Sequence, residues 1–192
     1  MDLHKVLKNS YASRKKQKKA FLKDGYRYDK FLSNDNEQVY YNPNNKKLLM
    51  SVAGTHNLSD FGTDIWLAGG LLKNTSRYKE AESTLKRAKQ KYDVKNATIS
   101  GHSLGGPISQ YIASKGDQVY TLDKGATIGQ KTRSNEKAYR TSGDLISILN
   151  ANSTRMKTLK NPQIRTGNFN NILKDAYNAH NVDNIKNENI MI

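Results

Sequence analysis

Val94-Lys95-Asn96-Ala97-Thr98-Ile99-Ser100-Gly101-His102-Ser103-Leu104-Gly105-Gly106 begins as a short strand-forming run and breaks abruptly into glycines around one serine. A serine on a tight strand-to-helix turn has an exposed oxygen and a strained backbone. Glycines two before and two after it leave room for that turn. Here Gly101 and Gly105 hold those places. The flanks agree with this reading. A strand over 94–100 precedes the turn, and Leu104 to Ser114 carries Ile108, Tyr111 and Ile112 at helical spacing before Gly116 stops the helix.

Outward from this elbow the same alternation continues. Leu48 to Ala53 is a continuous apolar run ended by Gly54, as expected of a strand buried on both faces. Ser76 is placed to cap a helix whose apolar residues Tyr78, Ala81, Leu85, Ala88 and Tyr92 fall on one face. A short strand is expected at Gln118 to Leu122 and another at Lys137 to Thr141. The turn Asn42-Pro43-Asn44-Asn45 separates the first long strand from the tyrosine-rich stretch Tyr26 to Tyr41. Strand, helix, strand, helix, strand with crossovers of this length predicts a parallel sheet covered on both faces. No internal repeat or linker divides the chain. We expect a basic arm over 1–24 and a single domain over 25–192.

At 192 residues the chain can bury a sizeable core. It has no cysteine, so neither disulfides nor thiolate chemistry enter. Residues 1–20 contain no apolar run of the signal-peptide kind, and no stretch is long and apolar enough to span a bilayer. These features lead us to expect a cytoplasmic or virion-associated protein. The net charge is +15, and eight Lys/Arg lie between Lys5 and Lys23 with no acid among them. Such a segment, 5–23, is drawn to an anionic membrane surface or another polyanion, and as an arm it would act separately from any chemistry. Part of the charge has a second origin. The 24 Lys against 8 Arg, with 21 Asn, are what AT-rich codons produce, as in low-GC microbes and some large DNA viruses.

A serine hydroxyl needs an adjacent base to attack anything at neutral pH, and the base needs an orienting carboxylate. Of the four histidines, His4 lies in the basic segment and His102 lies inside the elbow, where its side chain should point away from the serine oxygen. His56 and His180 remain. In strand-elbow-helix sheets the order along the chain is serine, acid, histidine, which only His180 satisfies. Five acids lie between Ser103 and His180. Asp117 belongs to a turn, Glu136 to a charged loop and Asp175 to the segment leading into the histidine. Asp123 follows the first strand after the elbow and Asp144 the second. Asp144 is preferred, with Asp123 left a loop hydrogen bond or a cap. An oxyanion would be held by the backbone N–H of Leu104 and by a donor at Thr55, after the strand at 48–53.

These segments resemble class 3 lipases. Ser51-Val-Ala-Gly-Thr-His-Asn-Leu-Ser-Asp60-Phe-Gly-Thr-Asp64 is similar to the family's oxyanion segment and Ile99 to Gly106 to its elbow. Tyr139-Arg-Thr-Ser-Gly-Asp144 is similar to its acid strand, and Ala179-His180-Asn-Val-Asp-Asn-Ile to its histidine segment. The resemblance covers about residues 46–185. It implies an α/β-hydrolase fold with a mostly parallel central sheet and helices on both faces. It implies hydrolysis of acylglycerol- or phospholipid-like carboxylesters by Ser103, Asp144 and His180, with no cofactor and no metal. The chain departs from the family pattern at Ala53, before Gly-Thr, and in the proline-free loop Asp123 to Gly129. It also has little material for a lid beyond 56–75. The competing expectation is a hydrolase-fold structural or interaction protein, for example a virion component of a large DNA virus, that uses its basic surface.

Overall fold

Seven strands lie side by side in chain order in the computed structural model, which describes residues 1–55, 72–125, 132–144, 147, 155–160 and 178–192. They are β1 (Arg27–Tyr28), β2 (Glu37–Asn42), β3 (Lys47–Val52), β4 (Thr98–His102), β5 (Gln118–Leu122), β6 (Glu136–Thr141) and β7 (Met156–Leu159). β1, β2 and β3 pair antiparallel, the last two as a hairpin turned at Pro43 to Lys46. From β3 to β7 every pairing is parallel. Parallel neighbours need a crossover, and two are described. α3 (Ser76–Tyr92) lies between β3 and β4, and α4 (Gly105–Ile112) between β4 and β5.

The apolar pattern decides which face each helix covers. Tyr78, Ala81, Leu85 and Ala88 of α3 and Ile108 and Ile112 of α4 pack with Val39, Met50, Val52 and Ile99 on one side of the sheet. On the other side, α1 (Leu3–Ser10) inserts Leu3 and Leu7 against Tyr120, Leu122, Leu159 and Ile185, and Val6 against Tyr40 and Leu49. A mixed, mostly parallel sheet with helices on both faces and a serine elbow between β4 and α4 is the α/β-hydrolase fold.

Residues 1–24, read above as a basic arm, hold two helices. α1 is fastened to the end of the chain: Leu3 N–H donates to the Ile190 carbonyl at 2.8 Å, and Lys8 pairs with Asp183 at 2.7 Å. α2 (Arg14–Lys19) follows, with only Gln17 buried. Local details shift from expectation. The cap of α3 is Thr75, whose hydroxyl accepts from Tyr78 N–H, rather than Ser76. β4 starts at Thr98 and runs to His102, not over 94–100. Glu136 is not in a charged loop. It opens β6, buried, where it accepts from Lys124 Nζ and the Thr121 hydroxyl, both at 2.7 Å. Among the described residues no helix is long and apolar enough to cross a membrane.

Candidate active site at the carboxyl ends of β4 and β6

β4 ends at His102, and the backbone turns at Ser103 with φ +57°, a left-handed conformation that costs a non-glycine residue roughly 1–2 kcal/mol. The two flanking glycines are dictated by close approach. A Cβ on Gly101 would sit 2.2 Å from the Gly105 carbonyl oxygen, and one on Gly105 would sit 2.2 Å from the Val52 oxygen. The elbow is therefore pressed both onto itself and onto the end of β3. Ser103 is buried, and its Oγ makes no hydrogen bond among the described residues. Leu104 caps α4, so its backbone N–H lies at the helix N-terminus.

Asp144 stands just past β6, and His180 follows the helical residues Asn178 and Ala179. The structure joins them: His180 Nδ1 and Asp144 Oδ1 are 2.8 Å apart, and both side chains are buried. Burial by itself raises the Asp144 carboxyl, but the hydrogen bond and charge of His180, with bonds from Ser147, hold it below the usual carboxylate range. An ionised Asp144 only accepts, so Nδ1 carries the proton and Nε2 is the basic nitrogen.

Asp123, the other candidate acid, is committed elsewhere. Its carboxylate accepts from the Thr141 N–H at 2.5 Å and the Thr141 hydroxyl at 2.9 Å. Burial pushes its carboxyl up, and the negative charge of Asp144 adds to the shift. Asp117 binds the Ala97 and Ser114 N–H groups and pairs with Lys89 in the turn before β5. His4, on α1, pairs with Asp183. Gly54 and Thr55 follow β3, and a Cβ on Gly54 would lie 2.7 Å from Ser103 Cβ, so this loop lies against the elbow. His56, Asp175 and most of the expected lid at 56–75 lie outside the described residues.

His102 is buried and makes contacts that sequence reasoning missed. Its Nε2 is 3.0 Å from the His180 carbonyl oxygen and its Nδ1 is 2.7 Å from the Tyr11 hydroxyl. The His102 and His180 rings are 4.6 Å apart between centroids. Burial pushes the His102 imidazole down to about 3, with the neighbouring His180 adding to the shift, so the ring is neutral. Ligating atoms of His102, Asp123 and His180 lie within 4.8 Å of one another. They do not make a metal-ligand set as they stand. A carbonyl can only accept, so His102 Nε2 must carry a proton, and His102 Nδ1, His180 Nδ1 and the Asp123 oxygens are already hydrogen-bonded.

Tyr11 was missed as well, and it belongs to the segment expected to act apart from the chemistry. The segment is packed against the elbow: Tyr11, the C-cap of α1, reaches His102 across 91 residues of sequence. The available signal was the spacing Leu3, Val6, Leu7, Ser10, which marks a buried helix face leading to Tyr11.

A second buried group stands behind the loop at Gly54. Arg77 Nη2 donates to the Ala53 carbonyl at 2.7 Å, and Glu37 is fully buried. Burial pushes the Glu37 carboxyl up to about 7, the Asn34 amide and the Arg77 charge pulling against it and Glu80 adding to it. A carboxyl raised in the folded state favours folding below its ordinary value of 4.5 and loses that advantage as pH rises through about 7. Glu37 should thus remove on the order of 3 kcal/mol of stability between pH 4.5 and pH 8. Glu37→Gln should flatten that part of the profile, as followed by thermal unfolding. An unchanged slope contradicts the assignment.

No family model and no curated protein matches the sequence. Two fungal lipases are among the solved structures similar to it. The native Rhizomucor miehei lipase propeptide complex is 14% identical with a TM-score of 0.47, over 75% of this chain and 60% of that one. The Lip2 lipase of Yarrowia lipolytica is 16% identical with a TM-score of 0.39, over 71% and 66%. The chain thus spans less than two thirds of either lipase chain.

Proposed function

We propose that this chain is a serine carboxylester hydrolase of the class 3 lipase type, acting on acylglycerol- or phospholipid-like esters. The observation that supports the reading is the buried His180–Asp144 pair, at 2.8 Å, with the His180 ring 4.6 Å between centroids from His102, the residue before the strained elbow serine. His180 Nε2 takes the Ser103 Oγ proton as the oxygen attacks the ester carbonyl. The oxyanion forms against the Leu104 N–H, aided by the α4 N-terminus, and a donor at Thr55. His180 then returns the proton to the leaving alkoxide. Water repeats the sequence on the acyl-serine, releasing the acid and restoring Ser103. Asp144 stays ionised and stabilises the imidazolium. No metal or cofactor takes part in these steps. Labelling with a fluorophosphonate probe, alongside chromogenic esters of rising chain length, tests the reading. Folded protein that neither labels nor turns over any ester overturns it.

We further propose that α2 docks the enzyme on an anionic membrane. Arg14, Lys15, Lys16, Lys18 and Lys19 are exposed on a helix with no acid, and Lys23 and the half-exposed Leu22 follow. Each basic residue near an anionic surface contributes about 1 kcal/mol. Replacing Lys15, Lys16 and Lys19 together by Gln should weaken binding to phosphatidylserine-containing vesicles on the order of 100-fold, while turnover of a soluble short-chain ester holds. Equal binding by both proteins makes α2 a solvated surface only. Preference for DNA over vesicles at matched salt, in a protein without turnover, favours the interaction or virion reading.

A further inference from the structure

One hydroxyl sits where three separately built parts of the site meet. Gly54 N–H donates to the Tyr11 oxygen at 2.8 Å, and that oxygen is 2.7 Å from His102 Nδ1. His102 Nε2 in turn is 3.0 Å from the His180 carbonyl oxygen. The direction of every bond is forced. The His180 carbonyl accepts, so Nε2 holds the imidazole proton and Nδ1 is an acceptor. The Tyr11 O–H must then donate to Nδ1, which leaves its lone pairs to receive Gly54 N–H. The chain runs Gly54 N–H to Tyr11 O–H to His102, and His102 N–H to the His180 backbone.

The packing leaves little slack. A Cβ on Gly54 would fall 2.6 Å from the Tyr11 oxygen and 2.7 Å from Ser103 Cβ, so Gly54 is held between the hydroxyl and the serine. The Tyr11 ring meets the His102 ring edge-on, with centroids 5.7 Å apart and planes at 80°. Burial raises the Tyr11 hydroxyl to about 12 and lowers the His102 imidazole to about 3, so both stay neutral and the direction of the chain does not reverse with working pH. Gly54 N–H, being spent on Tyr11, is not an oxyanion donor. Its work is to set the position of Thr55, the next residue.

We propose that Tyr11 is a positioning residue for the reaction: its hydroxyl, through His102, fixes the oxyanion loop at Gly54–Thr55, the elbow under Ser103 and the backbone of His180 relative to one another. This rests on the hydrolase reading above. Tyr11→Phe removes a single oxygen and leaves Gly54 N–H and His102 Nδ1 without it. Small displacements of reacting groups cost up to about 100-fold in rate, so kcat should fall between about 10- and 100-fold with KM little changed.

Leu7→Ala supplies the control. Leu7 lies on the same helix, buried against Tyr120 and Leu122, and its loss weakens α1 without touching the hydroxyl. At a temperature well below both unfolding transitions, Leu7→Ala should keep kcat near wild type. Equal falls in the two variants, or no fall in Tyr11→Phe, overturn the proposal. Imidazole ¹⁵N spectra give a readout that destabilisation does not move. Wild-type His102 should be the neutral Nε2–H tautomer with a hydrogen-bonded Nδ1, and Tyr11→Phe should shift the Nδ1 resonance alone. A wild-type Nδ1–H tautomer overturns the hydrogen-bond chain even if Tyr11→Phe folds poorly. Absent turnover in wild type overturns the hydrolase reading instead, and the spectra still decide the chain.

Discussion

Ser103→Ala is expected to abolish fluorophosphonate labelling and to lower ester turnover on the order of 10⁴-fold or more, with the melting temperature nearly unchanged. Its Oγ makes no hydrogen bond among the described residues, so its removal breaks no structural bond there. Ser103→Gly should be equally inactive but more stable than the alanine variant by about 1 kcal/mol, because glycine relieves the φ of +57°. His180→Ala and Asp144→Asn should each lose most of the rate, and the pair together little more than either, as groups acting in one proton-transfer unit do. Asp123→Asn alters the Thr141 contacts and a carboxyl near both imidazoles but leaves the His180–Asp144 bond in place, and should cost less. If Asp123→Asn proves the more damaging change, Asp144 is not the acid.

The second large effect is structural. Lys124 and Glu136 form an ion pair at 2.7 Å with both side chains almost wholly out of water. Burial pulls the Lys124 ammonium down, and the charge and hydrogen bond of the facing Glu136 carboxylate offset that. Glu136→Gln keeps the shape and removes the charge, leaving an ammonium among the Gln110 and Thr132 oxygens. Breaking one side of a buried pair typically costs about 3–5 kcal/mol, whereas replacing both sides by apolar groups is often neutral. Denaturant titration should therefore show Glu136→Gln far less stable than Lys124→Met/Glu136→Leu. A loss under about 1 kcal/mol for Glu136→Gln would mean that Lys124 is not charged in the fold.

What the sequence made legible was local. The elbow is written in glycine spacing, because each glycine answers a backbone contact two residues from the serine or at the strand beside it. β5 was read at its observed bounds, and the covered parallel sheet follows from the alternation of strand and helix. His180 and Asp144 were both named, and they meet. Glu136 was misread because charge signals solvent unless its partner is known. That partner, Lys124, comes from the end of the neighbouring strand, and no spacing rule pairs them. β7 was not foreseen. Met156-Lys-Thr-Leu159 is too short and polar to stand out, and among the described residues it is paired with β6 alone. His102 and Tyr11 escaped for a further reason: their partnership exists only once α1 is laid on the sheet.

The strand order, β1 to β7 without a jump, separates two kinds of assembly within one molecule. Each strand docks on the one made just before it, so the sheet is built from comparatively short closures. Among the site contacts, His180 to Asp144 closes 36 residues, within the range of the strand pairings, whereas His102 to His180 closes 78 and Tyr11 to His102 closes 91, against 49 for β3 to β4. Regions held by few distant contacts open at lower free energy than the core they rest on. The joint that ties Tyr11, His102 and His180 together is thus expected to open while the strands beneath it stay paired, so its amide hydrogens should exchange ahead of those in β4 and β5.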